Sequence, residues 1–475
     1  MVKRHLLLAV LSALSLNACV LGPDYHRPAV ETADAWQSVG GTAYRAAGER
    51  WWELYGDPTL NELVHEGLKN NQDIQLAIER VNEAEAQAGY TRSDNAPNIN
   101  GVANANRTQH SEVGATPMPS GTPRVQNNYD LRLQASYEID FFGKYRRANE
   151  AARAELLAAE AAQRTVKLAL TNQIVRQYFA LLAADSQETV LRRTLAARQE
   201  TLELDSQRFS AGITSEFYLL QTQAEVSAAQ AQLAQAIQMR VQTETGLLFL
   251  LGRSPREVMH ANVARGAPTK PTVVWVPEGL PSDILLHRPD LNEAEQKLIA
   301  ANARIGSVRA AVFPAISLTS YLGTESAQVS DLFSGPAGIF QFGVDLAQPI
   351  FQAGRTQYAA RVTEARYQQA LANYKKVVAS AFYDVRTALA TQEGARLTLQ
   401  AHTERVNALT QAHQQATARL EGGVANRLEV LDTERQLLQA QLSQIDAERA
   451  QRAAVADLFK ALGGGWEVSS AKPTT

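Results

Sequence analysis

The chain has 475 residues, with 46 basic against 49 acidic side chains and a formal charge of -3, a mixed balance that offers no electrostatic footprint for nucleic acid. Its one cysteine rules out disulfides within the chain and zinc sites built from several cysteines, and the eight scattered histidines contain no HExxH. With no nucleophile motif, phosphate-cradling glycine loop or clustered metal ligands, no catalytic, cofactor or metal site is expected.

The chain opens with MVKRHLLLAVLSALSLNAC, in which Lys3 and Arg4 form a basic n-region and Leu6 to Leu16 an apolar stretch. Leu16-Asn17-Ala18-Cys19 is a lipobox, so residues 1–18 read as a signal peptide and Cys19 as the acylated first residue of the mature protein. The apolar stretch spans about 16 Å as a helix against a hydrocarbon core of about 30 Å, which makes it a cleaved address and not a membrane span.

Four segments with period two follow at intervals. The clearest is Tyr129 to Phe141, where Tyr129, Leu131, Leu133, Ala135, Tyr137, Ile139 and Phe141 alternate with Asp130, Arg132, Gln134, Ser136, Glu138 and Asp140. At about 3.3 Å per residue it reaches about 43 Å, suited to a tilted strand with one face on lipid and one on a water-filled lumen. Phe340 to Leu346 repeats the pattern, with the strand drawn over 340–350, and Asn98 to Arg107 and Ile316 to Leu322 are weaker partners. Polar loops from Thr108 to Asn128 and from Gly323 to Ile339 join each weak strand to its strong one. Four strands cannot close around a pore, and open sheet edges are not tolerated in lipid, so several chains must share one barrel.

Between the strands run helical rods. Lys144 to Ala211 contains neither glycine nor proline and could extend roughly 100 Å; similar proline-free stretches cover Ile213 to about Leu251, Arg355 to Glu421 and Val424 to about Leu462. The alanine run of Ala151, Ala152, Ala154, Ala158, Ala159, Ala161 and Ala162 reads either as a surface for close helix packing or as plain helix propensity. The linker Arg253 to Pro281 is too proline-rich for helix and, with the segment after Cys19 and the C-terminal tail, forms a collar beside the rods.

The halves are an internal duplication. A shift of 217 superposes Gly89 on Gly306, Arg92 on Arg309 and Pro97 on Pro314; a shift of 211 superposes Gly143 on Gly354, Arg208 on Arg419 and Gly212 on Gly423. The repeats are drawn as residues 19–275 and 276–475. Around Gly422 and Gly423 the second rod breaks, and Asn426 followed by Glu429 reads as an N-cap with its reciprocal partner, which makes this a helix-hairpin tip with Arg208 to Gly212 as its counterpart. His287-Arg-Pro-Asp290 reads as the proline-started first turn of a helix.

With these features in place, the segments CVLGPDYHRP, RWWELYGDPTLNELV, SYEIDFFGKYRRANEAARAE, HRPDLNEAEQKLIAANARIGSVRAAVFPAISL and RLEGGVANRLEVLDTERQLLQAQ carry a specific resemblance. The chain resembles the outer-membrane factors of the TolC family, in the lipoprotein OprM or NodT branch of multidrug efflux systems. The resemblance implies a mixed α/β membrane protein: a homotrimer with a 12-stranded outer-membrane β-barrel, four strands per chain, continued by a 12-helix periplasmic α-barrel. It also implies a periplasmic adaptor protein and an inner-membrane RND transporter as partners, outer-membrane lipid around the barrel, and passive conduction of drugs and other small molecules. Val20 follows the cysteine where a lipoprotein retained at the inner membrane usually carries Asp, which favours the outer membrane of a Gram-negative cell. A type I protein-secretion duct and a periplasmic coiled-coil scaffold are the alternative readings.

Leu428, Asp432 and Arg435 fall at spacings of four and three on one helix face. Spacing alone reads as an intrahelical Asp432 to Arg435 pair on a solvated surface. The resemblance implies a pore gate, with an apolar ring at Leu428, a polar ring at Asp432, and Arg435 tying neighbouring helices together. The first repeat carries Gln221 and Ala224 where the second has Asp432 and Arg435. The resemblance further implies that Arg208, Gly212, Arg419, Gly422 and Gly423 mark the tips that meet the adaptor.

Overall fold

The computed structural model describes residues 21–30, 50–111, 113–115, 121–260, 262–266, 288–424 and 426–464. The signal segment, Cys19, the repeat boundary at 275/276 and His287 lie outside the described residues. In chain order, a 3-10 turn over Trp51–Tyr55 leads to α1 (Pro58–Asn70), α2 (Gln72–Ser93), β1 (Asn98–Gln109), β2 (Val125–Ile139), α3 (Lys144–Ser210) and α4 (Glu216–Leu250). There follow α5 (Pro255–His260), α6 (Pro289–Ala310), β3 (Ala315–Ser326), β4 (Gly338–Ala347), α7 (Arg355–Glu421) and α8 (Arg427–Ala461). Two compact units cut across the duplication: Met1–Ala29, Arg80–Glu160 and Glu293–Lys375 in the first, Val30–Glu79, Ala161–Asn292 and Lys376–Thr475 in the second.

In the first unit the strands form one antiparallel sheet in the order β1-β2-β3-β4. Alternation sets the register: Leu133 stands opposite both Gly101 and Leu322, and Leu322 opposite Phe340, which lines apolar side chains up in rows on one face. The ladders outrun the alternation. Asn127 and Asn128 pair with Arg107 and Asn106, and β3 continues to Ser326, so both connecting loops are shorter than read from sequence. Ladder hydrogen bonds are made by backbone, and polar strand ends therefore carry no periodic signal.

β2 stops at Ile139 and not at Phe141, because Asp140 turns aside to accept a hydrogen bond from the Arg146 backbone N–H at 2.8 Å in the first turn of α3. β4 ends at Ala347, short of Pro349, which has no N–H to offer a ladder. Ala151 and Ala154 of α3 pack against Ala300 and Ala303 of α6, so part of the alanine run is a close-packing surface. Residues 21–29 are strapped into this unit: Asn302 Nδ2 donates to the Pro23 carbonyl at 2.8 Å, and Arg27 grips Glu295 through bonds of 2.7 and 2.5 Å.

In the second unit, α1 begins at Pro58, whose missing N–H has no partner to lose at that position, while Asp57 accepts from the Thr59 and Leu60 N–H groups at 3.0 and 3.3 Å. The Tyr178 hydroxyl donates to Asp57 Oδ2 at 2.6 Å and accepts from the Gly266 N–H at 2.9 Å. Around this node Trp51 stacks on Phe459 with ring centroids 5.2 Å apart, among the buried side chains of Leu60, Val64, Ile174 and Leu247. Removing each such aliphatic side chain from water contributes about 1.5–3 kcal/mol. Val263 from the linker joins the same core.

The linker does contain helix. Pro255 takes the first position of α5, where proline starts a helix instead of breaking it, and Ser254 and Glu257 close a reciprocal box through bonds of 2.9 and 3.3 Å. α6 begins at Pro289, as the sequence predicts. Arg288 just before it is buried: Nη1 donates to the Ala461 carbonyl at 2.7 Å, and Nη2 meets Asp290 at 2.7 Å and Asp384 at 3.1 Å. This guanidinium joins the start of α6 to α7 and to the end of α8.

Candidate functional site

Among the described residues no helix is long and apolar enough to cross a membrane. The sheet presents an apolar surface: Ile99, Leu133, Leu322, Phe340, Phe342, Val344 and Leu346 share one face and are each at least 60% exposed in the single chain. The opposite face is polar and internally bonded. Asp130 accepts from Asn104 Nδ2 at 3.2 Å and pairs with Arg132 at 3.3 Å, Asn128 donates to Glu325 at 2.9 Å, and Thr319 donates to Asp345 at 2.9 Å. β1 and β4 each keep one unpaired edge. Such a sheet is stable in lipid when neighbouring copies cover both edges, with the apolar face outward.

The helix hairpins of the second unit reverse at tips built the same way twice. Gly212, at φ 72°, bonds the Phe209 carbonyl at 2.9 Å, and the Ile213 N–H reaches back to the Arg208 carbonyl at 2.8 Å. Gly423, at φ 71°, bonds the Leu420 carbonyl at 3.0 Å, and the Val424 N–H reaches the Arg419 carbonyl at 2.9 Å. These paired bonds satisfy the last helical carbonyls, and the left-handed backbone explains glycine at both places. Gly422 is not in that region, and Ala211 occupies the matching place in the first tip, so one glycine suffices. The apolar residues that follow, Ile213 and Val424, are exposed.

Asn426 Oδ1 accepts from the Leu428 N–H at 3.1 Å, in line with the predicted cap. Glu429 does not close the other half of the box; its carboxylate takes Arg419 Nη1 at 3.1 Å across the turn. Leu428, Asp432 and Arg435 are all exposed on α8. The intrahelical Asp432 to Arg435 pair is not formed: Asp432 accepts from Gln436 Nε2 at 2.6 Å, while Arg435 lies 3.8 Å from Glu225 on α4.

Behind that face lies a network which spacing did not reveal. Arg427 grips Asp205 through bonds of 2.7 and 2.6 Å, Thr222 donates to the same carboxylate at 2.8 Å, and the Asp205 side chain is 1% exposed. Buried Arg198 on α3 meets Glu225 at 3.1 Å and Glu434 at 3.3 Å. Together these pairs bind the start of α8 to α3 and α4. Arg427 and Asp205 stand 222 residues apart in sequence, so the only local sign was a charged residue directly after the Asn426 cap.

The architecture has known counterparts. The outer membrane efflux protein family model matches residues 63–253 and 280–464. The chain is 34% identical over 461 residues to the cation efflux system protein CusC of Escherichia coli O6:H1, covering 96% of this chain and 97% of the relative. It is 32% identical over 472 residues to the toluene efflux pump outer membrane protein TtgI of Pseudomonas putida, covering 97% and 98%. Among solved structures, the Campylobacter jejuni CmeC outer membrane channel superposes with a TM-score of 0.90 at 25% identity, covering 95% of this chain and 96% of that one. The open state of the Neisseria gonorrhoeae MtrE outer membrane channel superposes with a TM-score of 0.84 at 31% identity, covering 94% and 98%. The chain therefore belongs to the outer membrane efflux protein family, as an outer-membrane channel component with the fold of that family's trimeric channels.

Proposed function

We propose that three copies of this chain form the exit duct of a tripartite efflux pump. Lipid-anchored at Cys19, the duct passively conducts drugs and other small molecules delivered by an inner-membrane RND transporter through a periplasmic adaptor. The observation that carries this reading is a sheet with one exposed apolar face, one polar face and two open edges, built into the same chain as two long helix hairpins. Three copies cover one another's edges and turn the polar faces onto a water-filled lumen. The cargo named for the relatives differs, cations for CusC and toluene for TtgI, which supports a duct that leaves selection to the pump.

Arg208, Gly212, Arg419, Gly422 and Gly423 mark the adaptor-docking tips, where exposed Ile213 and Val424 offer apolar contact to a partner's helical hairpins. Leu428, Asp432 and Arg435 form the gate: a three-fold axis turns their common face into stacked rings that narrow the periplasmic mouth. The duplicated halves, residues 19–275 and 276–475, supply only one such charged ring, since Gln221 and Ala224 occupy the matching places in the first. Heat-modifiable trimer mobility together with single-channel conductance in planar bilayers tests the reading; a protein that shows neither is a periplasmic scaffold. Mass spectrometry of the mature N-terminus should show an acylated Cys19, and an unprocessed Met1 would contradict the anchor.

A further inference from the structure

Residues directly opposite each other in a ladder share a face, so the register assigns every position of the four strands to one side of the sheet or the other. By this assignment the apolar face holds no carboxylate and a single charge, Arg107. Arg107 is exposed and stands opposite Asn127, with Gln109 two residues further along β1 on the same face. Among the described residues, none of these three side chains makes a hydrogen bond or an ion pair. Arg132 is the middle residue of β2, and Asn127 lies five residues from it toward the β1 to β2 loop. At about 3.3 Å per residue and a tilt near 45°, Asn127 stands about 12 Å above the middle of the sheet, and one strand of sideways displacement moves Arg107 by only about 3 Å. An apolar band about 25 Å tall ends at that height. The matching rows toward the helices, Tyr137 with Leu318 and Ile139 with Ile316, carry no charge.

We propose that Arg107, with Asn127 and Gln109, binds the phosphate of a lipid headgroup in the leaflet on the loop side, one site per chain. The proposal rests on the reading of this sheet as a barrel wall in lipid. A guanidinium presents a planar fork of N–H donors that matches two phosphate oxygens at once, and the two carboxamides add N–H donors on the same face. No outward carboxylate competes for the cation, so at the edge of the apolar band the anion within its reach is the headgroup phosphate. The apolar surface beside it lowers the local dielectric and strengthens the pairing. Below Arg107 on β1 come Ala105, Ala103 and Gly101, opposite the larger Tyr129, Leu131 and Leu133 of β2. That step in the surface gives an acyl chain of the same lipid a place to lie, with its headgroup at Arg107.

Native mass spectrometry of purified full-length trimers tests this, with two probes: an acylated glucosamine disaccharide bisphosphate, and the same glycolipid after enzymatic dephosphorylation. The parent should retain the phosphorylated lipid, one molecule per chain at saturation, and about tenfold less of the dephosphorylated one. Arg107→Gln should lower retention of the phosphorylated lipid by about tenfold, and Arg107→Lys, which keeps the charge without the fork, should fall between. Asn127→Asp gives the guanidinium a carboxylate of its own and should lower retention while the arginine stays in place, so the test does not hang on one variant. Equal retention of the two lipids by the parent, or retention unchanged in Arg107→Gln or in Asn127→Asp, overturns the proposal. Excess inorganic phosphate should leave the lipid bound; its displacement would show a site for free anions and overturn the assignment to lipid. A parent that forms no trimer overturns the barrel reading itself, whereas trimers that form and conduct but hold both lipids alike overturn this inference alone.

Discussion

Leu133 and Gln134 are neighbours on β2 that face opposite sides of the sheet, and replacing each in turn by arginine separates lipid from lumen. Leu133 is the ninth of the fifteen residues in Val125–Ile139 and sits in the row Gly101, Leu133, Leu322, Phe340. It lies within about 4 Å of the strand's centre, and a strand of that length tilted near 45° rises about 35 Å against an apolar band about 25 Å tall. Leu133 therefore falls near the bilayer midplane, where arginine costs about 2–4 kcal/mol per chain. At about 3 kcal/mol, the equilibrium between inserted and uninserted chain shifts roughly 150-fold, and a trimer carries three copies. Gln134 stands opposite Tyr321 on the polar face, so Gln134→Arg should assemble as the parent does and alter conductance and ion preference instead. The assay is the fraction of heat-modifiable trimer recovered from the outer membrane, followed by conductance of what assembles. Equal loss of trimer from both substitutions would refute the assignment of faces.

Arg427→Ala leaves the Asp205 carboxylate buried without its cation and should cost about 3–5 kcal/mol, read as earlier thermal dissociation of the trimer and faster proteolysis at the tips. Arg427→Met combined with Asp205→Leu removes both charges and should restore most of that loss; a double variant as damaged as the single would contradict it. Burial raises the Glu244 carboxyl, but the Arg265 side chain, the Val263 N–H and Arg240 outweigh it and hold the group below its ordinary value of 4.5. Its contribution to stability is complete above pH 4.5 and is lost as pH falls through the lowered value, so acid unfolding should be steeper in the parent than in Glu244→Gln. Parallel acid limbs would show that Glu244 carries none of it.

Much of this architecture was legible because it is periodic or local. The alternation from Tyr129 to Ile139 reports a sheet with two unlike faces, and the 211-residue recurrence of Gly212 and Gly423 reports two reversals built on the same left-handed turn. Charges that pair across the fold were not legible. Asp205 with Arg427, Arg198 with Glu434, and Arg288 with Asp384 look like ordinary surface residues in their own helices, and burial by other elements gives them their role. Two local signals also misled. Pro255 looked like a helix breaker although Ser254 and Glu257 spell a capping box around it, and Glu429 looked like the partner of a cap although Arg419 attracts it away.

We propose a trimeric duct whose periplasmic mouth is held narrow by the Leu428, Asp432 and Arg435 face. Conductance of purified trimers in planar bilayers, parent against the combined Asp432→Ala and Arg435→Ala variant, tests it most directly. Removing the charged ring and the contact of Arg435 with Glu225 should raise conductance well above the parent's, by more than either single change, since the residues act on one helix end. A double variant that assembles as a trimer and conducts no better than the parent would place the constriction elsewhere and leave these residues as surface groups.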